Sequence, residues 1–351
     1  MKILENKLYL EDINKVANLD VPWEKFKNSS ILISGATGMI GSCFIDVIMK
    51  KNQEGLNCKI YALGRNEKHA EERFFYYKNS GLFHFIKYDI KKPFIKNDIK
   101  QIDYVIHLAS NTHPIQYSLD PIGTVTTNVF GTYNMLEFAR NHNTKRCAIA
   151  SSNEIYGENR GDVEVFDETY CGYINSNTLR AGYPESKRCC EALCQAFIKQ
   201  ENLDIVVPRF TRSYGPTMLM TDTKAISQFI KNGINNEDIV LKSDGTQYYS
   251  YTYVFDAVSG LITILLCGEC GEAYNIADVE SDIMLKDLAN IIANEVNRKV
   301  IFAVPDDVEL QGYSKATKAR IDGKKLSLLG WKPLYGIKDG LKRTIAILKM
   351  I

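Results

Sequence analysis

The most constraining feature of the sequence is an apolar segment that runs directly into a glycine-rich turn. Residues 30–34 read SILIS, and Gly35, Gly38 and Gly41 follow at GxxGxxG spacing. Apolar side chains then recur at helical spacing through residues 40–48. A buried strand, a tight turn and a helix that packs back on the strand account for this order. The turn of such a unit brings backbone N–H groups close to a diphosphate, so the segment predicts dinucleotide binding.

The same alternation of strand and helix patterns continues through the first 210 residues. Five further segments predict strands, at 59–63, 83–88, 104–109, 146–151 and 205–210. Several of them lack a polar face, as expected for parallel strands that are covered on both sides. The pattern loosens beyond residue 211. We therefore predict an α/β fold with a Rossmann-type doubly wound parallel sheet and a smaller C-terminal α/β substrate lobe.

This pattern also suggests how the chain is divided. We expect residues 1–29 to form a peripheral N-terminal extension and residues 30–210 an NAD(P)-binding domain, to which a segment near 247–266 returns. Residues 211–351 are expected to form mainly the substrate-binding lobe.

Charge and composition restrict the partners. The chain has 43 basic and 42 acidic side chains and a net charge of +1, so no single-sign field favours nucleic acid or a membrane surface. The first 15 residues are interrupted by charges, unlike a signal peptide. Nine scattered cysteines are typical of buried thiols in a reducing compartment, which favours the cytoplasm. Cys267 and Cys270 have no second ligand pair nearby, so we predict no metal site.

A second signal lies in RAGYPESKR, residues 180–188. Tyr183 and Lys187 are four residues apart and share one helix face. A nearby ammonium and a positively charged nicotinamide would stabilise the phenolate and lower the pKa of the tyrosine. Such a tyrosine can take a proton from a substrate hydroxyl while hydride leaves the same carbon. Ser152, in SSNEIYG after the fifth strand, is the predicted hydroxyl partner.

The end of the second strand normally selects the cofactor. A carboxylate there would bind the ribose 2′-hydroxyl, but the sequence has Arg65 and Asn66, which favours NADP. NAD remains the alternative if Arg65 stacks on adenine and Asn66 binds the ribose. The predicted cofactor contacts are Gly35, Thr37, Gly38, Met39, Ile40, Gly41, Arg65, Asn66, Asp89, Ile90, Leu108, Ala109, Ser110, Asn128, Tyr183 and Lys187.

Four motifs in order carry a family resemblance: GATGMIG, HLAS, SSNEIYG and YPESK. Together they resemble the extended short-chain dehydrogenase/reductase superfamily, in its NAD-dependent epimerase/dehydratase group, and most of all the UDP-glucuronate decarboxylases. The resemblance implies a nucleotide-sugar substrate and bound NAD, with Tyr183 acting as NAD oxidises the sugar C4 hydroxyl. It also implies a homodimer.

The resemblance leaves the reaction after C4 oxidation open. It implies that Glu154 acts near C5, as in decarboxylases and 4,6-dehydratases. Asn153 stands where dehydratases carry an aspartate and cannot donate a proton as an acid does, which weakens the dehydratase interpretation. Three further functions stay open: a 4-epimerase, an NADPH-dependent keto-sugar reductase, and a non-catalytic dinucleotide sensor. The intact Tyr183–Lys187 pair argues against the sensor, which would not need it.

Two positions depart from the decarboxylase pattern. Arg212 stands where that family usually has Asn, and Tyr249 where it has an Arg that grips the phosphates. Arg212 is therefore predicted to take over an anionic contact. Arg180 matches the family and is predicted either to meet a sugar carboxylate or to lie in solvent. The predicted substrate contacts are Asn153, Arg180, Arg212 and Tyr249, whereas His107 and His113 are expected to be structural.

Overall fold

A computed structural model describes residues 2–93, 99, 101–112, 114–305 and 317–351. The strands, in chain order, are β1 Ser30–Ser34, β2 Lys59–Gly64, β3 Phe83–Lys87, β4 Tyr104–His107, β5 Arg146–Ile149, β6 Ser151–Ser152, β7 Ile205–Phe210, β8 Arg212–Tyr214, β9 Ile239–Leu241, β10 Tyr248–Tyr253, β11 Ala273–Ile276, β12 Asp282–Met284, β13 Val300–Phe302 and β14 Lys318–Ala319. The helices are α1 Lys7–Ala17, α2 Met39–Gln53, α3 Glu67–Arg73, α4 Pro114–Leu119, α5 Pro121–Asn141, α6 Gly182–Glu201, α7 Ala225–Ile234, α8 Val254–Cys267, α9 Leu285–Glu295, α10 Lys324–Ser327 and α11 Ile337–Leu348. Short 3-10 turns cover Ile3–Glu5, Trp23–Phe26, Phe75–Tyr77, Asn153–Tyr156, Leu179–Ala181 and Val279–Ser281.

The large sheet has the strand order β11-β7-β5-β4-β1-β2-β3, with β6 beside β7. Every one of its strand pairs is parallel. Parallel neighbours need crossover helices, and these cover both faces of the sheet. The predicted Rossmann-type α/β fold is confirmed.

Burial on both faces explains why the strands lack polar sides. In β1, Ile31 and Ile33 belong to the same core cluster as Phe44 of α2. Leu32, which points to the opposite face, belongs to a second cluster with Met135 of α5. Alternate side chains of one strand therefore enter two separate apolar layers.

The smaller lobe is built on a second sheet with the order β12-β10-β14, in which β8 also pairs with β10. The pairing of β10 with β12 is antiparallel, and its pairings with β8 and β14 are parallel. A separate two-stranded sheet joins β9 and β13. The predicted smaller C-terminal α/β lobe is also confirmed.

Two connections were not anticipated from the sequence. Strand β11, at residues 273–276, returns to the large sheet beside β7. The N-terminal segment packs into the core, where Tyr9 is fully buried and donates a hydrogen bond of 2.5 Å to Asp46 in α2. Asp12 in α1 accepts a hydrogen bond of 2.8 Å from Tyr253. Helix α1 thereby ties α2 to the end of β10, where α8 begins.

Candidate active site

The glycine turn has the geometry that a diphosphate requires. Gly35 has a φ of +70°, and a Cβ atom there would lie 2.7 Å from the backbone nitrogen of Ala109. A Cβ atom on Gly41 would lie 2.4 Å from the carbonyl oxygen of Gly35. Helix α2 starts at Met39, and its first N–H groups have no partner inside the helix. The turn is therefore closely packed and leaves a helix N-terminus available to an anion.

A cleft of about 940 Å³ runs from this turn across the carboxyl ends of the parallel strands to the smaller lobe. Most of the residues predicted from sequence line it. They are Gly35, Thr37, Gly38, Met39, Ile40, Gly41, Arg65, Asp89, Ile90, Leu108, Ala109, Ser110, Ser152, Asn153, Glu154, Arg180, Tyr183, Lys187, Arg212 and Tyr249.

Two predicted cofactor contacts, both within the described residues, do not line the cleft. Asn66 caps helix α3, where its side chain accepts a hydrogen bond from the backbone of His69. Asn128 is fully buried, accepts a hydrogen bond of 2.7 Å from Ser110 and donates one of 2.8 Å to Ser186. Ser186 lies in the same helix as Tyr183. Asn128 therefore connects the wall of the cleft to the helix that carries the tyrosine.

Tyr183 lies in the first turn of α6 and is 6% exposed. Burial and the carboxylate of Glu154 raise its pKa well above the ordinary value. Hydrogen bonds with Ser152 and Ser110 and the charge of Arg180 act in the opposite direction but do not balance burial. The direction is opposite to the lowering that the Tyr183–Lys187 spacing suggested, because the dominant contribution is removal of the phenol from water.

Lys187 is also deeply buried, one helical turn beyond Tyr183. Its ammonium group donates a hydrogen bond of 2.8 Å to the carbonyl oxygen of Ala150, and burial lowers its pKa. A cation in this position favours negative charge nearby, whether on a phenolate or on an added ligand.

Glu154 and Arg180 form an ion pair inside the cleft. One guanidinium nitrogen of Arg180 donates to both carboxylate oxygens of Glu154, each at 2.8 Å. The Arg180 and Glu154 side chains are only 14% and 20% exposed. Arg180 thus lies in the site rather than in solvent, and its charge offsets that of Glu154.

Tyr117 of α4 was not identified from the sequence. Its ring stacks on that of Tyr183, with centroids 4.9 Å apart and planes 26° from parallel. The guanidinium carbon of Arg180 lies 4.8 Å from the Tyr117 centroid. An aromatic residue in a helix after the fourth strand carries no periodic signal of such a contact, so only the tertiary structure reveals it.

Arg212 and Tyr249 lie together at the lobe side of the cleft. The guanidinium carbon of Arg212 is 3.5 Å from the ring centroid of Tyr249. The two positions that depart from the decarboxylase pattern therefore form a cation–π contact with each other.

His107, at the end of β4, has a structural environment. Its Nδ1 atom lies 2.7 Å from the hydroxyl oxygen of Ser34, and burial lowers its pKa to about 3. The imidazole is therefore neutral near pH 7. His113 lies outside the described residues. Among the residues that the structure does describe, no group of three or more His, Cys, Asp or Glu side chains could hold a metal ion, and no helix there is both long and apolar enough to cross a bilayer.

Residues 31–277 match the NAD dependent epimerase/dehydratase family. The chain belongs to this family. It is an enzyme of a family that acts on nucleotide sugars.

Within this family, the chain is similar to several UDP-glucuronic acid decarboxylases. UDP-glucuronic acid decarboxylase 1 from Danio rerio is 32% identical over 315 residues, which cover 90% of this chain and 71% of that protein. UDP-glucuronic acid decarboxylase 4 from Arabidopsis thaliana is 29% identical over 320 residues, covering 90% of this chain and 68% of that protein. Both relatives are thus about 30% identical to this chain.

Solved structures share the fold. A dTDP-glucose 4,6-dehydratase from Streptomyces venezuelae, solved with NAD, superposes with a TM-score of 0.79 at 21% identity, covering 92% of this chain and 97% of that one. A UDP-glucuronic acid 4-epimerase from Bacillus cereus, solved with UDP-glucuronic acid and NAD, gives a TM-score of 0.78 at 21% identity, covering 92% and 99%.

Proposed function

We propose that this enzyme acts on a nucleotide-linked uronic acid by transient oxidation at C4, as a UDP-glucuronate decarboxylase does. The observation that carries the proposal is the Arg180–Glu154 pair beside Tyr183. A guanidinium in this position can bind a sugar carboxylate by donating to it the hydrogen bonds that it now donates to Glu154. Asn153 supplies no acid for a departing hydroxyl, which disfavours a 4,6-dehydratase, so a 4-epimerase is the competing function of this kind. The relatives at about 30% identity support the same choice.

Each residue has a defined task in this proposal. Tyr183 takes the proton of the C4 hydroxyl and later returns it, and Ser152 holds the same oxygen. Lys187 favours the phenolate form of Tyr183 by its charge. Glu154 acts on the C5 side. Loss of carbon dioxide from a 4-keto uronic acid breaks the C5–C6 bond and leaves its electron pair as an enolate, which is then protonated at C5.

We assign NAD as the cofactor, with NADP as the alternative. The close-packed glycine turn and the free N–H groups of α2 fit a diphosphate. When bound, NAD would supply reversible hydride transfer at the sugar carbon. Residues of the 30–210 domain would hold NAD, and those of the 211–351 lobe would hold most of the nucleotide sugar.

A keto-sugar reductase that consumes NADPH is the second candidate, favoured by Arg65. This side chain is exposed and lines the cleft at the end of β2, where it could pair with a 2′-phosphate. Such an enzyme would need added NADPH for every turnover, whereas the decarboxylase would not.

One experiment separates these functions. The purified protein is denatured to identify its dinucleotide, and the intact protein is incubated with UDP-, CDP-, dTDP- and GDP-sugars while NMR spectra and released carbon dioxide are followed. We expect carbon dioxide from UDP-glucuronate without added cofactor. Reaction of only neutral sugars would favour epimerase chemistry, and an unchanged panel would refute the proposal.

We also propose that the enzyme is a cytoplasmic homodimer. All nine cysteines are free thiols in the structure, which supports a reducing compartment. Helix α5 exposes Ile122, Phe130 and Tyr133, by 78%, 53% and 47%. An apolar helix face of this kind is suited to a second copy.

A further inference from the structure

Arg212 lines the same cleft as Ser152 and Tyr183. Strand β7 ends at Phe210, which pairs with Ser152 in β6. Arg212 begins β8 two residues later, and its backbone pairs with Tyr251 of β10. These four strands all contribute residues to the edge of the cleft. The guanidinium is therefore carried by the junction between the large sheet and the lobe.

The aromatic side chains of β10 hold Arg212 in place. Tyr249 and Tyr251 are two residues apart on one strand and therefore point to the same face. Both line the cleft. Tyr249 is 7% exposed, and the guanidinium carbon of Arg212 lies over its ring. Stacking satisfies the face of a guanidinium but leaves its in-plane N–H groups free to donate.

One of those groups has no acceptor. The Nη1 atom of Arg212 is buried and makes no hydrogen bond to any part of the chain that the structure describes. Two other cations of the cleft differ in this respect, since Arg180 is paired with Glu154 and Lys224 with Asp222. A buried, charged donor without a partner is costly, and such a group is usually completed by a ligand.

We propose that Arg212 anchors an oxyanion of the substrate, with the diphosphate of the nucleotide sugar as its ligand, and that Tyr249 is the residue that positions it. This inference rests on the proposed function only in assuming that the substrate is a nucleotide sugar. It does not depend on which reaction the enzyme catalyses. A planar guanidinium fixed by a ring presents two N–H groups to two oxygens of a phosphate or a carboxylate. Its place at the sheet–lobe junction makes Arg212 a determinant of which substrates bind.

The test measures binding rather than turnover. Isothermal titration calorimetry is performed on the dinucleotide-loaded protein with UDP, CDP, dTDP and GDP, and then with UDP-glucuronate and UDP-glucose in a Tyr183→Phe background. We expect Arg212→Ala to weaken the best nucleoside diphosphate by about 10- to 100-fold, the range for a charge-assisted hydrogen bond. The affinity of Arg212→Lys should lie between those of wild type and Arg212→Ala, because lysine keeps the positive charge but lacks the paired N–H donors of a guanidinium.

Variants of Tyr249 test the positioning role. Tyr249→Phe keeps the ring and should bind within about twofold of wild type, whereas Tyr249→Leu should weaken binding by about fivefold through loss of the cation–π contact. Arg320→Ala is the matched control. Arg320 also lies over a tyrosine of β10, at 5.0 Å from the Tyr248 centroid, but it is already paired with Asp282.

The outcomes are distinct. Weakened diphosphate binding in Arg212→Ala, with Arg320→Ala unchanged and comparable melting temperatures, supports the proposal. If diphosphates bind normally but the preference for UDP-glucuronate over UDP-glucose is lost, the diphosphate assignment is overturned and the sugar carboxylate is the ligand of Arg212. Wild-type affinity of Arg212→Ala for every ligand, or no binding of any of them by wild type, overturns it. None of these results depends on whether carbon dioxide is released.

Discussion

At the residue scale, the site is organised around a tyrosine whose pKa is unfavourable for its proposed task. Burial and Glu154 keep Tyr183 protonated, while Ser152, Arg180 and Ser110 favour the phenolate. Positive charge brought into the cleft would shift this balance further toward the phenolate. The arrangement thus makes proton transfer dependent on what is bound beside the ring.

Tyr117 is expected to fix the positions of the Tyr183 and Arg180 side chains, which both contact its ring. Tyr117→Leu removes the stacked ring and admits water, so it should lower the pKa of Tyr183 by about one unit while reducing kcat by about tenfold through lost orientation. Tyr117→Phe should preserve both values. The pKa is read by 19F NMR of a fluorinated tyrosine placed at position 183, and kcat from the reaction found in the substrate panel.

Tyr173→Leu, at an exposed tyrosine that does not line the cleft, is the control for Tyr117→Leu. An unchanged 19F titration in Tyr117→Leu would show that the stacked ring does not govern Tyr183.

At the scale of elements, one carboxyl group links α8 to the C-terminal segment. Asp256, in the first turn of α8, accepts a hydrogen bond of 2.5 Å from the backbone of Leu334. Ser259, one turn further along α8, accepts a hydrogen bond of 2.8 Å from the indole of Trp331. Burial raises the pKa of Asp256 to about 7. This helix therefore carries a buried acid that ionises near neutral pH.

The raised pKa predicts a pH-dependent stability. The unfolded chain releases this proton near pH 4 and the folded chain near pH 7, so the contribution is full below about pH 4 and is lost as the pH rises to 7. Between pH 5 and pH 8 we expect wild type to lose about 3 kcal/mol of unfolding free energy relative to Asp256→Asn. Urea denaturation of both proteins at the two pH values measures this. Parallel changes in the two proteins would contradict the assignment.

The sequence predicted the elements that repeat a pattern better than those that depend on distant partners. The six strands from β1 to β7 that carry apolar runs are all present near their expected positions, because burial on both faces leaves a local signal. Strand β11 is short and is flanked by polar residues, so it carries a weak local signal, and it pairs with β7 beneath α8. The buried role of Tyr9 likewise depends on Asp46, far along the chain.

At the scale of the whole molecule, the cleft joins two parts that the sequence suggested separately. The glycine turn, Ser152 and the Tyr183–Lys187 pair could be predicted because their spacing is local to one turn or one helix. The contacts of Tyr117 with Arg180, and of Arg212 with Tyr249, could not, because each joins elements more than 30 positions apart. Substrate choice depends on these long-range contacts.

The exposed face of α5 leads to an expectation for assembly. Phe130→Asp places a charge on that face, and desolvating it at an interface would be costly. We expect wild type to be a dimer by light scattering and Phe130→Asp to be a monomer with similar circular dichroism. A monomeric wild-type protein would contradict the proposed homodimer.

The proposed chemistry depends on oxidation of the sugar at C4 and on return of the same hydride to that carbon. The most direct measurement uses UDP-glucuronate labelled with deuterium at C4, incubated with the protein in ordinary water without added cofactor. We expect release of carbon dioxide and a pentose product that retains deuterium at C4. A product that has lost the label, or turnover only when NADPH is supplied, would contradict the proposed function.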